Sequence, residues 1–431
     1  MKIEFSKIYT GDCRQILKEF PREFIDFIMF SPPYYGQRNY GEEANTIWGG
    51  KPNCEHEWEE IVIPKRRGSY GISSWKRPSR EAHVDWTVKT SKICRLCGAW
   101  YGQLGLEPHW SMYIEHLREI CRELKRVLKK TGSMYIVIGD AYCGTGDPTR
   151  HWGYPDKRVP KREVRFIEPQ ALSQEPYQPK CLMGIPWRLA FALIEDGWIL
   201  RNAIIWFKPN AIPESVKDRL SRTYEFIFHF VKSRKYYYNL DFIRQPHSEE
   251  SIERYARALK QIKDSKGKRL KDLHGKKVSV MIPNKWERVV GRVGDYSYAD
   301  SLHTRSLHPK GKNPGDLWVI STLPHPVDHP APYPIDICLY PILSSCPPWG
   351  KVLDPMCGIG TTLLTCELIN NRRWDMFRLR INEEVRKTEW RLKWIGIEIV
   401  PKYVKMAYER LNQYIYQKKL VDYADKNSNP L

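Results

Sequence analysis

Val352-Leu353-Asp354-Pro355-Met356-Cys357-Gly358-Ile359-Gly360-Thr361-Thr362 reads as the end of a strand, a tight turn and the start of a helix over 360–370. Gly358 and Gly360 let the backbone come close to a ligand, because neither carries a side chain. The helix start behind them offers free N–H groups to an anionic group such as a carboxylate. A further strand is expected over Trp394–Ile399, and Glu398 near its end is placed to hold a ribose. A lone Gly-x-Gly is more often an ordinary strand–helix turn. Asp354-Pro355 before it, Thr361-Thr362 after it and Gly396-Ile397-Glu398 beyond reverse that preference. The 38 residues from Gly360 to Glu398 exceed the usual interval of about 20. The excess, Asn371–Arg391, holds Arg372, Arg373, Arg378, Arg380 and Arg391. It is either an insertion on the back of the sheet or a second basic contact.

Moving outward, the same alternation recurs. Phe24-Ile25-Asp26-Phe27-Ile28-Met29-Phe30 is an apolar run of buried-strand type, and Ser31-Pro32-Pro33-Tyr34 ends it. Ile114, Leu117, Ile120, Leu124, Val127 and Leu128 have helical spacing, with Gly132 expected as the C-terminal stop before a strand over 133–138. Pro186 opens a helix that Gly197 closes, and strands are expected over 199–207 and 224–231. One helix is expected near 248–262 and another over 401–415. Strands alternating with helices predict an α/β chain with a mostly parallel sheet.

Two regions break the pattern. Residues 41–110 are polar, basic and aromatic without clear periodicity, and read as an insertion. Residues 245–312 hold sixteen Lys/Arg against eight Asp/Glu, a net of +8 in 68 residues. Residues 143–180 read as a long loop, and a short polar tail runs from Asp422.

The 431 residues suggest two or three compact units. Hydrophobic residues make up 42% and charged ones 28%, which excludes global disorder. Seventy Lys plus Arg against fifty Asp plus Glu leave +20, a balance that favours a polyanionic partner. No apolar run approaches the roughly 18 residues that cross a bilayer, and Met1-Lys2-Ile3-Glu4-Phe5 begins no signal peptide. A soluble, cytoplasmic chain without a membrane partner is the expectation. Eleven cysteines, odd in number, argue against a disulfide scaffold.

Three constellations carry chemistry. Ser31-Pro32-Pro33-Tyr34 is a rigid turn at the end of a strand, where open α/β sheets bind ligands. The Pro32 carbonyl and the Ser31 hydroxyl suit the two protons of an exocyclic amine on a planar base, with Tyr34 stacking on the ring. Alone, the tetrapeptide is more often a packing turn. Cys54-x-His56 and Cys94-x-x-Cys97-Gly98 supply four ligands for a structural Zn²⁺, which would let residues 41–110 fold without a large core. The alternatives are free side chains in a loop or a redox pair. Lys65-Arg66-Arg67, Lys76-Arg77 and Arg80 are interleaved with Tyr70, Trp75 and Trp86. With Lys157-Arg158, Lys161-Arg162 and the 266–277 lysines they suit phosphate contacts and stacking, although any one cluster is more often a solvated face.

Together, Ser-Pro-Pro-Tyr and Asp-Pro-x-x-Gly-x-Gly-Thr-Thr resemble the motifs of the S-adenosylmethionine-dependent amino-methyltransferases. Their order, with a basic region between, is similar to the beta-class DNA methyltransferases, whose motif order is circularly permuted. Tyr9-Thr10-Gly11-Asp12, Arg201-Asn202 through Asn210, Asn313-Pro314-Gly315-Asp316-Leu317-Trp318 and His329-x-Ala331-Pro332-Tyr333-Pro334 resemble flanking segments of that family. The resemblance implies a Rossmann-like methyltransferase fold with a zinc-binding-type insertion and a basic recognition region. It divides the chain into a catalytic half (1–40 and 111–244), an insertion (41–110), a target-recognition region (245–312) and a cofactor half (313–431). Catalysis would fall to Ser31, Pro32, Pro33 and Tyr34. Cofactor binding would fall to Asp12, Asp316, Asp354, Pro355, Cys357, Gly358, Gly360, Thr361, Thr362 and Glu398. The Ser form of the tetrapeptide is typical of N4-cytosine enzymes, and Asp in its place of N6-adenine enzymes. The expected activity is methylation of cytosine N4 in double-stranded DNA beside a cognate restriction endonuclease. Structured RNA as substrate, adenine N6 as target, and an inactive nucleic-acid-binding fold are the alternatives.

Overall fold

The structure is a computed structural model that describes residues 3–63, 89–143, 180–264, 270–271, 277–278, 307–322 and 332–413. In chain order it begins with β1 (Lys7–Thr10), α1 (Cys13–Lys18) and β2 (Ile25–Phe30). Four strands follow: β3 (Thr46–Trp48), β4 (Trp58–Ile63), β5 (Lys89–Cys94) and β6 (Trp100–Gly102). Then come α2 (Trp110–Val127), β7 (Leu128–Ile138), α3 (Ile185–Glu195), β8 (Ile199–Phe207) and β9 (Tyr224–Val231). The region Leu240–Pro314 is a separate compact unit with α4 (Glu249–Asp264) and a short antiparallel pair, β10 (Leu270–Lys271) and β11 (Lys277–Val278). The larger unit resumes with β12 (Leu317–Val319), α5 (Ile335–Ser345), β13 (Lys351–Asp354) and α6 (Thr361–Asn370). It continues through α7 (Glu383–Lys387), β14 (Lys393–Glu398) and α8 over 401–413.

One eight-stranded sheet organises the larger unit, in the order β1-β14-β13-β2-β7-β9-β8-β12. From β1 to β7 every pair is parallel, β9 runs antiparallel to both neighbours, and β12 is parallel to β8. The expectation of a mostly parallel α/β sheet with permuted order is met. The centre joins the two ends of the sequence, with Val352 opposite Phe27 and Leu353 opposite Ile28. Phe27, Ile28, Met29 and Phe30 are fully buried, as an apolar run covered on both sheet faces requires. On one face, α2 buries Tyr113, Ile114, Leu117, Ile120, Leu124 and Val127, each worth about 1.5–3 kcal/mol of transfer energy. Truncating Leu117 to Ala would cost about 2–5 kcal/mol.

Three local expectations change. Gly132 does not stop a helix: α2 ends at Val127, and Gly132 lies inside β7. It sits where the register against β2 slips, because a Cβ there would meet Leu128 at 2.5 Å and the Asp26 carbonyl at 2.7 Å. Residues 41–110 contain a second sheet, antiparallel, in the order β3-β6-β5-β4. Strands of three residues such as β3 and β6 are too short to show a period. The 371–391 segment packs through buried Trp374, Phe377, Ile381, Val385 and Trp390, and its Arg378 binds the buried Asp336 of α5 at 2.7 Å. Arg373 and Arg391 pair with Asp375 and Glu389. It is a packed insertion, and β14 still delivers Glu398 beside Thr10 of β1. Among the described residues no helix is long and apolar enough to cross a membrane.

Candidate active site

The parallel strands β2 and β13 end side by side, so the Ser31–Tyr34 and Asp354–Thr362 turns leave the same edge of the sheet. They share a cavity of about 860 Å³, lined by Ser31, Pro32, Pro33 and Tyr34 on one side and by Pro355, Cys357, Gly358 and Thr361 on the other. Asp12 and Glu398 also line it.

In the glycine turn, Gly358 and Gly360 have φ of 51° and 74°, left-handed values that favour glycine. Asp354 is buried behind the turn. Its carboxylate accepts from the Thr362 hydroxyl at 2.7 Å and the Met356 N–H at 3.1 Å, and Tyr333 lies 2.7 Å from Thr362 Oγ1. Burial outweighs these donors and pushes the Asp354 carboxyl up to about 7. Glu398 accepts from the N–H of Gly358 and of Val400, each at 2.9 Å, and so clasps the turn to the end of β14. Its carboxyl is raised by burial against those bonds. Asp354, Gly360 and Thr362 shape the wall from behind rather than face the cavity. Asp12 caps α1 and its carboxylate is held by Arg14 at 2.6 Å. Asp316 is not brought to the cavity: it is exposed, and its carbonyl accepts from the Ile205 N–H.

The proline turn is held by distant residues. Tyr113 donates to the Pro33 carbonyl at 2.8 Å, and Tyr34 donates to Glu225 at 2.7 Å. Lys208 binds the other oxygen of Glu225. Burial, and then the Glu225 charge, hold the Tyr34 hydroxyl well above its usual range, so it stays a donor. A Cβ on Gly139 would stand 2.8 Å from the Tyr34 ring, which explains the glycine there. Among the described residues nothing donates to the Pro32 carbonyl. Glu225 and Lys208 line the cavity, although the sequence alone does not mark them as site residues. The available signals were a lone acid in the apolar run Tyr224-Glu225-Phe226-Ile227-Phe228, and Lys208 in Trp206-x-Lys208-Pro209.

Cys54, His56, Cys94 and Cys97 come together as expected, their ligand atoms all within 4.8 Å of one another. Cys54 and Cys94 sulfurs are 3.8 Å apart, and Cys97 Sγ lies 3.4 Å from His56 Nδ1. A tetrahedral zinc with its usual bond lengths demands edges of roughly 3.8 Å between sulfurs and about 3.6 Å between sulfur and nitrogen. The donor set fits. All four positions of a tetrahedron are filled by protein, and none of the four residues lines the cavity, which is the pattern of a structural site.

The same small sheet is wired to the cavity wall. Gln103, just past β6, accepts from the Tyr40 N–H at 2.7 Å and donates to Asn39. The Gly105 carbonyl accepts from the Gly36 N–H at 2.7 Å, directly behind the proline turn. His116 of α2 stacks on Trp48 and Trp100 and bonds the buried Glu107 at 2.9 Å. Arg14 stacks over Trp48 at 3.6 Å. The basic clusters at 65–80, 157–162, 266–269 and 276, together with His329 and Ala331, lie outside the described residues.

Comparison with known proteins finds DNA methylases and methyltransferases. A family profile described as DNA methylase matches residues 25–409. The chain is 28% identical to Type II methyltransferase M.SmaI of Serratia marcescens, over 88% of this chain and 87% of that protein. It is likewise 28% identical to Type II methyltransferase M.Cfr9I of Citrobacter freundii, over 95% and 89%. Among solved structures, the PvuII DNA methyltransferase (cytosine-N4-specific) aligns with a TM-score of 0.44 at 15% identity, covering 94% of this chain and 89% of that one.

Proposed function

The chain belongs to the DNA methylase family of the N6 and N4 methyltransferases, and from that premise we propose that it moves a methyl group from S-adenosylmethionine to N4 of cytosine in double-stranded DNA. The observation that carries this reading is the opening of the serine–proline turn and the glycine turn into one cavity from adjacent parallel strands. Serine at position 31 supports cytosine over adenine. Relatives named as Type II methyltransferases support pairing with a cognate restriction endonuclease, in the cytoplasm where chromosomal DNA lies. Residues 1–40 and 111–244 serve as the catalytic half, 313–431 as the cofactor half, and 245–312 as the target-recognition region. The Cys54, His56, Cys94 and Cys97 set holds a structural zinc.

Bound S-adenosylmethionine supplies a methyl group already activated on a sulfonium, so the chain needs no nucleophile of its own. Its residues have a positioning task. The Ser31 hydroxyl and the Pro32 carbonyl accept hydrogen bonds from the two amine N–H groups, which turns the nitrogen lone pair out of conjugation with the ring. The same contacts stabilise the positive charge that develops on that nitrogen. Tyr34 stacks on the extruded base, and its hydroxyl is tied to Glu225 and Lys208 so that the ring plane is fixed beforehand. The methylated ammonium loses its extra proton to water. On the cofactor side the glycine turn offers Thr361 and the β1–α1 junction offers Asp12, while Glu398 fixes the Gly358 backbone.

The test is methyl transfer from tritiated S-adenosylmethionine to duplex DNA, followed by nucleoside analysis. N4-methylcytosine is the expected product, and Ser31→Ala should lower its yield at least about tenfold. N6-methyladenine alone would overturn the base assignment. Preferential transfer to ribosomal RNA in a mixed reaction would overturn the substrate.

A further inference from the structure

The segment 208–223 joins β8 to β9 at the cavity mouth. Two sets of contacts fix it. Asn210 exchanges hydrogen bonds with the Thr322 backbone at 2.8 and 2.9 Å, and the Lys208 N–H reaches the Thr223 carbonyl at 2.7 Å. On the other limb, Glu214 pairs with Arg219 and Arg222, while Arg219 stacks over Tyr142 at 3.8 Å. Arg222 also donates to the Asp140 carbonyl.

Ile212 stands between those anchors, followed by Pro213, which stiffens the backbone. It is 68% exposed. A single exposed aliphatic side chain is ordinary on a protein surface. Position separates this one from the rest. Among the described residues, Ile212 and Tyr224 are the large exposed hydrophobics that also line the cavity, and the Tyr224 ring is packed edge-on against Phe226. Isoleucine, branched at Cβ, has few rotamers to lose when it is buried. Lys217, exposed on the same loop, supplies positive charge for a flanking phosphate.

We infer that Ile212 enters the duplex at the place the target nucleotide leaves. Extruding a base abolishes its stacking and leaves a hole between the neighbouring pairs, and an apolar side chain inserted there restores contact. A rigid loop at the rim of the base pocket delivers that side chain without first having to be ordered. This role rests on the proposed methylation of a base in duplex DNA.

The experiment compares two duplexes carrying the site that sequencing of methylated DNA identifies. In one the target cytosine faces guanine, and in the other it faces an abasic position, where extrusion breaks no base pair. Ile212→Ala is expected to slow single-turnover transfer on the paired duplex by roughly tenfold or more, and on the abasic duplex by less than about threefold. Ile212→Leu, which keeps the apolar bulk, is expected to retain most of the rate on both. An equal loss on both duplexes, or no loss on the paired one, overturns the role. Absence of transfer by the unaltered chain overturns the proposed activity and this role with it. An active unaltered chain with an equally active Ile212→Ala variant overturns the role alone.

Discussion

The glycine turn and the proline turn leave neighbouring strands at one edge of the sheet, but they are held by different means. Asp354 binds both Met356 and Thr362 within nine residues, with Glu398 arriving from the next strand. The proline turn has almost no such internal wiring. It depends on Tyr113, Glu225 and Gly105, which are separated from it by long stretches of sequence. One turn carries its own scaffold, and the other borrows its scaffold from the Cys/His sheet and the antiparallel edge of the main sheet. Cofactor binding and methyl transfer should therefore fail separately.

The largest effect should come from disrupting the proposed zinc site. Chelation, or Cys97→Ser, releases the β4–β5 end of the small sheet and with it the Gln103 and Gly105 contacts. A shift of about 1 Å in the proline turn is enough to cut transfer roughly a hundredfold, while calorimetry should show cofactor affinity much less affected. Equal losses of both would break the comparison. Next, Asp354→Ala leaves the Met356 N–H and the Thr362 hydroxyl without their acceptor in a buried place. About 1–3 kcal/mol of stability should be lost for each group, read as a lower urea midpoint, together with cofactor affinity. Glu225→Gln should be milder. It keeps an acceptor for Tyr34 but removes the charge that Lys208 binds, so transfer should fall roughly tenfold with cofactor affinity within about twofold.

A further test uses pH. Burial raises the Asp354 carboxyl in the folded chain above its unfolded value of 3.8, to about 7. Its contribution to stability is therefore fully present below the unfolded value and is lost as pH rises toward 7. Relative to Asp354→Asn, the unaltered chain should become less stable between about pH 4 and 7 and change little above that. Urea midpoints across that range would show the slope, and a flat difference would remove burial as the dominant influence on the glycine turn.

What could be read in the sequence follows the same division. The glycine turn, its flanking strand and helix, and Glu398 were visible because a local motif dictates local geometry. The apolar run of β2 and the spacing of α2 were visible for the same reason. Gly132 reads as a stop because a glycine after a helical pattern suggests one, whereas in the fold it relieves crowding between two strands that only the fold brings together. The Cys/His set was legible as ligands, but the sheet that gathers them was not, because its register depends on Trp58 pairing with Cys94 across 36 residues. Asp12 was visible as a motif residue, yet its engagement by Arg14 was not. Glu225 and Ile212 carry no local signature. One is a charge inside a strand and the other an aliphatic residue in a loop, and only their position around the cavity gives them meaning.

The pairing of β13 with β2 has a consequence for how the chain is made. The Lys351 N–H that bonds Asp26 is separated from it by 325 residues. At roughly 5–20 residues per second, β2 leaves the ribosome on the order of half a minute before its inner neighbour exists. During that interval one edge of a largely apolar strand stands open, the kind of edge that invites pairing with other chains. Joining the two termini and opening the chain elsewhere, so that β13 precedes β2, would shorten the wait without altering one contact of the finished sheet. Such a permutant should refold faster and aggregate less, since loop closure over shorter separations costs less entropy.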